Sequence, residues 1–156
     1  MTVDTKLFGK ITIEDDKIIK FQNGIVGFPE LTDFALMHDS ERTDGKGLSF
    51  LVSLQEPAFS MPVMDPLLVQ QKYNPVVEDD LLIPLGDFSE EDMLVLVTVT
   101  VPHEIEKMSV NLMAPIIINA STRKAAQVIL GEGDYPVKYE IYEILQAAKK
   151  AGKADK

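Results

Sequence analysis

The chain has 156 residues, a length that suits one domain with one core, and its 46% hydrophobic and 26% charged residues sit near the globular average. Twenty-five acids against fifteen bases give a net charge of −10, which argues against binding nucleic acid through its phosphates and favours basic partners. The absence of cysteine excludes disulfides, thiolate metal sites and cysteine nucleophiles, and it fits a reducing cytoplasm.

Met1-Thr2-Val3-Asp4-Thr5-Lys6 lacks the basic and apolar blocks of a secretory signal. Every apolar run is too short or too interrupted to span a bilayer, which needs about 20 residues. The protein is therefore expected in the cytoplasm and off the membrane. Lys6–Ile13 and Lys17–Phe21 read as strands flanking Glu14-Asp15-Asp16, a polar turn of hairpin length. Asn23-Gly24 then breaks the chain. Phe28-Pro29 holds the next segment extended, because the residue before a proline avoids the helical region.

Asp33–Met37 reads as a short strand, and Asp39–Gly47, with two glycines and five charges, as an exposed loop. Its Gly-Lys-Gly triplet lacks the spaced glycines and the Ser/Thr of a phosphate loop. Leu48–Leu54 and Met61–Met64 are strands. Asp65-Pro66 has the form of a helix start, with a carboxylate cap and proline at the first position, and predicts about two turns through Tyr73. Ser89-Glu90-Glu91-Asp92 predicts one further capped turn.

From Met93 the chain runs Leu94-Val95-Leu96-Val97-Thr98-Val99-Thr100-Val101, a strongly β-branched strand expected at the centre of the sheet. Lys107–Asn111, Pro115–Asn119 and Ala125–Leu130 follow as short strands. Proline lacks the N–H that a central strand must donate, so Pro115 marks an edge, a bulge or a junction between two strands. Asn111 and Asn119 bound that run as strand-end residues whose amides bond nearby backbone. After the turn Gly131-Glu132-Gly133-Asp134, Val137, Tyr139 and Ile141 alternate like a strand. Ile141, Ile144, Leu145 and Ala148 keep helical spacing, so a strand should turn into a helix near Tyr139. Many short strands without crossover helices predict a mainly β fold, a small antiparallel β-barrel-like single domain with short helical turns and a C-terminal helix. The expected division is 1–137 for the barrel and 138–156 for a helical extension and Lys-rich tail.

No catalytic constellation emerges. His38 and His103 are isolated, and His103-Glu104 has no second histidine four residues on, so the zinc-protease spacing is absent. The acid pairs at Asp15-Asp16 and Asp79-Asp80 and the triplet Glu90-Glu91-Asp92 are adjacent residues that point apart on a turn, and none has the ligand spacing of a calcium loop. No metal or cofactor is expected. Met61, Met64, Met93, Met108 and Met113 fill a core or form an adaptable contact surface.

Three segments carry a likeness in combination. They are Asn23-Gly24-Ile25-Val26-Gly27-Phe28-Pro29-Glu30-Leu31, then Leu54-Gln55-Glu56-Pro57-Ala58-Phe59-Ser60-Met61-Pro62-Val63-Met64-Asp65-Pro66, then Asn111-Leu112-Met113-Ala114-Pro115-Ile116-Ile117-Ile118-Asn119. In this order, and with Gln127-Val128-Ile129-Leu130 after them, they resemble the FliW family of bacterial flagellar assembly factors. The likeness runs from about Phe8 to Tyr135, and the C-terminal helical extension is longer than the family pattern. The resemblance implies a non-enzymatic, monomeric cytoplasmic protein that binds flagellin and, once released, binds CsrA and relieves its translational repression of flagellin mRNA. It also implies partner contacts at Phe28, Pro29, Phe59, Asn111 and Asn119.

Charge supplies a second set of candidates. No basic residue lies between Lys72 and Lys107, while Glu78, Asp79, Asp80, Asp87, Glu90, Glu91, Asp92, Glu104 and Glu106 supply nine acids. Glu90, Glu91 and Asp92 are the densest of these and the expected contact to a basic partner. Two other classes compete: a small-ligand-binding or enzymatic barrel that uses its mouth, and an oligomerising module. The missing catalytic spacings count against the first and the proline-studded edges against the second.

Overall fold

The computed structural model describes residues 2–5, 9–38, 48–56, 59–70, 72–73, 83–86, 93–130 and 135–147. The chain opens with a two-stranded hairpin, β1 (Thr2–Thr5) and β2 (Gly9–Thr12), in which Val3 faces Ile11. The expected pairing across Glu14-Asp15-Asp16 does not form. A single 3-10 turn over Asp15–Lys17 carries the chain away, and β2 takes β1 as its partner. Val3 packs with Ala35 and Leu54, and Ile11, Ile13 and Ile18 lie against them, so the hairpin covers the outer face of the sheet.

The barrel is built from β3 (Ile19–Phe21), β4 (Asp33–His38), β5 (Leu48–Ser53), β6 (Ser60–Met64), β7 (Met93–Thr100), β9 (Ile116–Asn119) and β10 (Lys124–Gln127). β3 to β7 pair in sequence order as an antiparallel meander. β7 then pairs with β9, β9 with β10, and β10 with β3 in parallel, closing the ring at seven strands. Closure leaves the ring without a free edge. Ile19, Phe21, Phe34, Leu51, Val63, Leu96, Ile116 and Ile118 fill the interior, with the Phe21 and Phe34 rings edge to face at 5.3 Å.

β7 is the hub, as its β-branched composition predicts. One side pairs with β6; the other pairs with β9 along its first half and with β8 (Ser109–Val110) along its last residues. β11 (Tyr139–Glu140) adds to β8, and residues 142–147 form a short helix. Ile141 is fully buried among Val97, Val99, Met108, Val110 and Leu112, with Ile144 and Leu145 against them, so the C-terminal segment covers the outer face of β7 and β8. The 3.6-residue spacing noted in the sequence is what places these three on one side.

The turn after β6 is shorter than expected. The Asp65 carboxylate accepts from Leu67 N at 2.9 Å and Pro66 occupies the first position, as predicted, but the helix ends as one 3-10 turn at Leu68. Leu67 and Leu68 stay half exposed, whereas Val69 and Tyr73 turn inward. Met64 and Met108 are buried and Met61, Met93 and Met113 pack against core clusters, so these methionines fill the core.

A surface stitched from three loops

Between β8 and β9 the strand opposite β7 is broken. Val99 faces Val110, but Leu96, three residues earlier, faces Ile116, six residues later, so the partner strand takes up three extra residues over Asn111–Pro115. Pro115 therefore stands at a junction of two short strands, where its missing N–H costs no ladder bond. The Asn111 amide oxygen accepts from Met113 N at 3.0 Å and from Ala114 N at 3.1 Å, closing the bulge on itself. Val128 N donates to Pro115 O and Leu130 N to Met113 O, tying the bulge to the chain leaving β10.

Asn119 does the same work at the other end of the run. Its amide oxygen accepts from Ser121 N and Thr122 N, and its Nδ2 donates to Leu85 O at 2.9 Å. It has no exposed surface, and its amide holds the turn that follows β9.

The second element is the loop after β3. Ile25 and Phe28 pair across a two-residue turn in which Gly27 has φ 88°, and Gly24, at φ 69°, lets the chain fold back against Pro29. The loop projects Val26, half exposed, and Phe28, 41% exposed, with Pro29 also at the surface. The Phe28 ring meets Phe59 at 4.8 Å, and Phe59 in turn meets the buried Phe34 at 6.4 Å. An aromatic ladder thus runs from the barrel interior to solvent through the half-buried Phe59 of the third element, the turn between β5 and β6.

Two glutamines join the three elements. Gln55 Oε1 accepts from Thr32 N at 2.6 Å and Asp33 N at 3.0 Å, and its Nε2 donates to Glu30 O at 3.2 Å, fastening the β5–β6 turn to the Phe28 loop. Gln127 Oε1 accepts from Val26 N at 2.8 Å while its Nε2 donates to Ala114 O at 3.2 Å, fastening the Phe28 loop to the proline bulge. Beside this clamp β3 turns away from β10 after Phe21, and the gap is a groove of about 490 Å³ lined by Gln22, Asn23, Val26, Ala126, Gln127 and Ile129, among others. Its lining carries no charged side chain.

Phe28, Pro29, Phe59 and Asn111 are therefore parts of one continuous region, whereas Glu90, Glu91 and Asp92 lie outside the described residues. Of the remaining acids between Lys72 and Lys107, Glu104 and Glu106 are exposed on a 3-10 turn, and Glu104 pairs with Lys107 at 3.3 Å. Such an exposed pair adds little to stability. Sequence reasoning gave no role to Gln55, Gln127 or Val26. The glutamines did stand inside the segments that carried the family likeness, which was the available signal. Among the described residues no three His, Asp or Glu side chains meet as a metal site.

Below the bulge, Tyr73 Oη donates to Leu112 O at 2.6 Å and its ring stacks edge to face on Tyr135 at 4.6 Å. Burial, and secondarily the Tyr135 phenol, raise the Tyr73 hydroxyl well above the usual tyrosine pKa.

The chain is similar to known proteins over most of its length. The family model described as FliW protein matches residues 2–141. A flagellar assembly factor FliW from Lachnoclostridium phytofermentans is 42% identical over 146 residues, covering 94% of each chain. That of Lachnospira eligens is 43% identical over 147 residues, 94% of this chain and 97% of its own. The Thermotoga neapolitana protein is 39% identical over 150 residues, 96% and 98% of the two chains. A crystal structure of the flagellar assembly factor FliW superposes with a TM-score of 0.83 at 30% identity, covering 91% of this chain and 97% of that one.

Proposed function

The chain belongs to the FliW family, whose members are flagellar assembly factors and not enzymes, and from that premise we propose that it binds flagellin in the cytoplasm and, when flagellin is exported, is released to bind CsrA. Binding CsrA frees flagellin mRNA from repression. The observation that carries this reading is the stitched surface. An exposed aromatic ladder and an uncharged groove suit an amphipathic helix such as those at flagellin's ends, which needs an apolar face to rest on. Phe28, Pro29 and Phe59 supply the apolar contact, and the Asn111 bulge supplies its border.

For CsrA the physical argument is charge. CsrA uses a basic surface for RNA phosphates, and a docked protein of net charge −10 repels RNA without occupying the same atoms. Screening limits this repulsion to about 10 Å at 0.1 M salt, so the acids must sit near the RNA path. Glu90, Glu91 and Asp92 are assigned that part. Charge reversal at all three should weaken displacement of RNA from CsrA; unchanged displacement would clear the cluster.

Calorimetric titration with flagellin and, separately, with CsrA, each at low and high salt, tests the whole scheme. Binding to both as a monomer, with CsrA the more salt-sensitive, supports it. Binding to neither would return the ligand-binding barrel to the front.

A further inference from the structure

We propose that Gln127 is a positioning residue that makes the Phe28 loop and the proline bulge a single binding surface. The inference rests on the reading that flagellin meets this region, and it adds the device that keeps the region in one shape. Three observations carry it.

First, β3 and β10 pair only as far as Phe21 and Ala125, so beyond that rung the barrel wall opens into the groove. Secondly, the Gln127 side chain reaches across: one amide takes the Val26 N–H with its oxygen and gives its own N–H to Ala114 O. Thirdly, the loop has other long-range ties through Gln55 and the bulge through Val128 N and Leu130 N, but among the described residues the hydrogen bonds that join one segment to the other run through Gln127. Val26 sits in a two-residue turn closed by Ile25 and Phe28, and Ala114 N is held by Asn111, three positions earlier in the same bulge. A side-chain amide accepts on one side and donates on the other, which neither an ionised glutamate nor leucine can do.

Two substitutions separate the halves of the clamp. Glu at this position keeps an acceptor for Val26 N but presents oxygen to Ala114 O; Ala removes both bonds. In Gln127→Ala the Val26 amide loses its acceptor and the Ala114 amide sits in a bulge that has lost its tie to the Phe28 loop. Both should exchange with solvent roughly tenfold faster, while the amide of Leu51, in the middle of β5, exchanges as before. In Gln127→Glu the Val26 amide should return toward the wild-type rate and the Ala114 amide should stay fast. Flagellin affinity should fall by about tenfold in the alanine variant and by less in the glutamate variant.

Wild-type exchange at Val26 in Gln127→Ala, or acceleration at one amide without the other, overturns the clamp. Accelerated exchange with unchanged flagellin affinity overturns its role in binding. A wild-type protein that ignores flagellin overturns the proposed function instead, and the exchange rates then decide the clamp alone.

Discussion

The backbone of Pro29 passes so close to Gly24 that a Cβ on residue 24 would lie 2.5 Å from Pro29 Cα and from its carbonyl oxygen. The contact is possible because Gly24 has φ 69° and no side chain. Gly9 has nearly the same φ, 70°, with open space where its Cβ would be.

These two glycines give a paired test. Gly9→Ala should cost about 1 kcal/mol, the strain of a left-handed alanine. Gly24→Ala adds a backbone clash and should cost at least about 2 kcal/mol more, read from urea midpoints of the two variants. Equal losses would mean that the close approach to Pro29 relaxes freely.

The aromatic ladder separates folding from binding. Phe34→Ala removes a fully buried ring and should cost about 3–5 kcal/mol. Phe28→Ala, at the exposed end, should cost under about 1 kcal/mol of stability yet weaken flagellin binding most. A Phe28 variant that binds flagellin normally would move the docking site elsewhere.

The two asparagines should differ in consequence. Asn119→Ala breaks at least three bonds at a site with no solvent access and should lose about 2–3 kcal/mol or more. Asn111→Ala breaks two at a half-buried site, where water can replace part of the loss, and should cost about 1 kcal/mol. Thermal midpoints of both variants check the order.

Tyr73 makes stability fall at high pH. Its folded pKa is raised by burial and by Tyr135, so its contribution is complete below the unfolded tyrosine value of about 10 and is lost as pH rises through that value toward the folded one. Tyr73→Phe should lose about 1–2 kcal/mol at neutral pH, because Leu112 O loses its donor, and should show a shallower alkaline decline in urea titrations between pH 8 and roughly pH 11. A wild-type alkaline slope in the variant would assign the decline to other groups.

What the sequence determined was local. The Asp65-Pro66 cap, the break at Pro115, the burial of Ile116-Ile117-Ile118, the amides of Asn111 and Asn119 on neighbouring backbone, and the strand-to-helix change near Tyr139 depend on groups within a few residues of one another. Residue type alone restricts such groups to few conformations. The tertiary structure decided who pairs with whom. β2 took β1 although Glu14-Asp15-Asp16 had hairpin length, because the barrel needed β3 for β4 and β10. A strand's two-residue period says which face is buried and says nothing about its neighbour. The helix predicted through Tyr73 stopped at Leu68, and Tyr73 found its acceptor at Leu112, 39 positions away. Gln127 found Val26, 101 positions away, only after seven strands had closed into a ring. Such a bond is chosen by the closure of the whole chain, and no local preference encodes it.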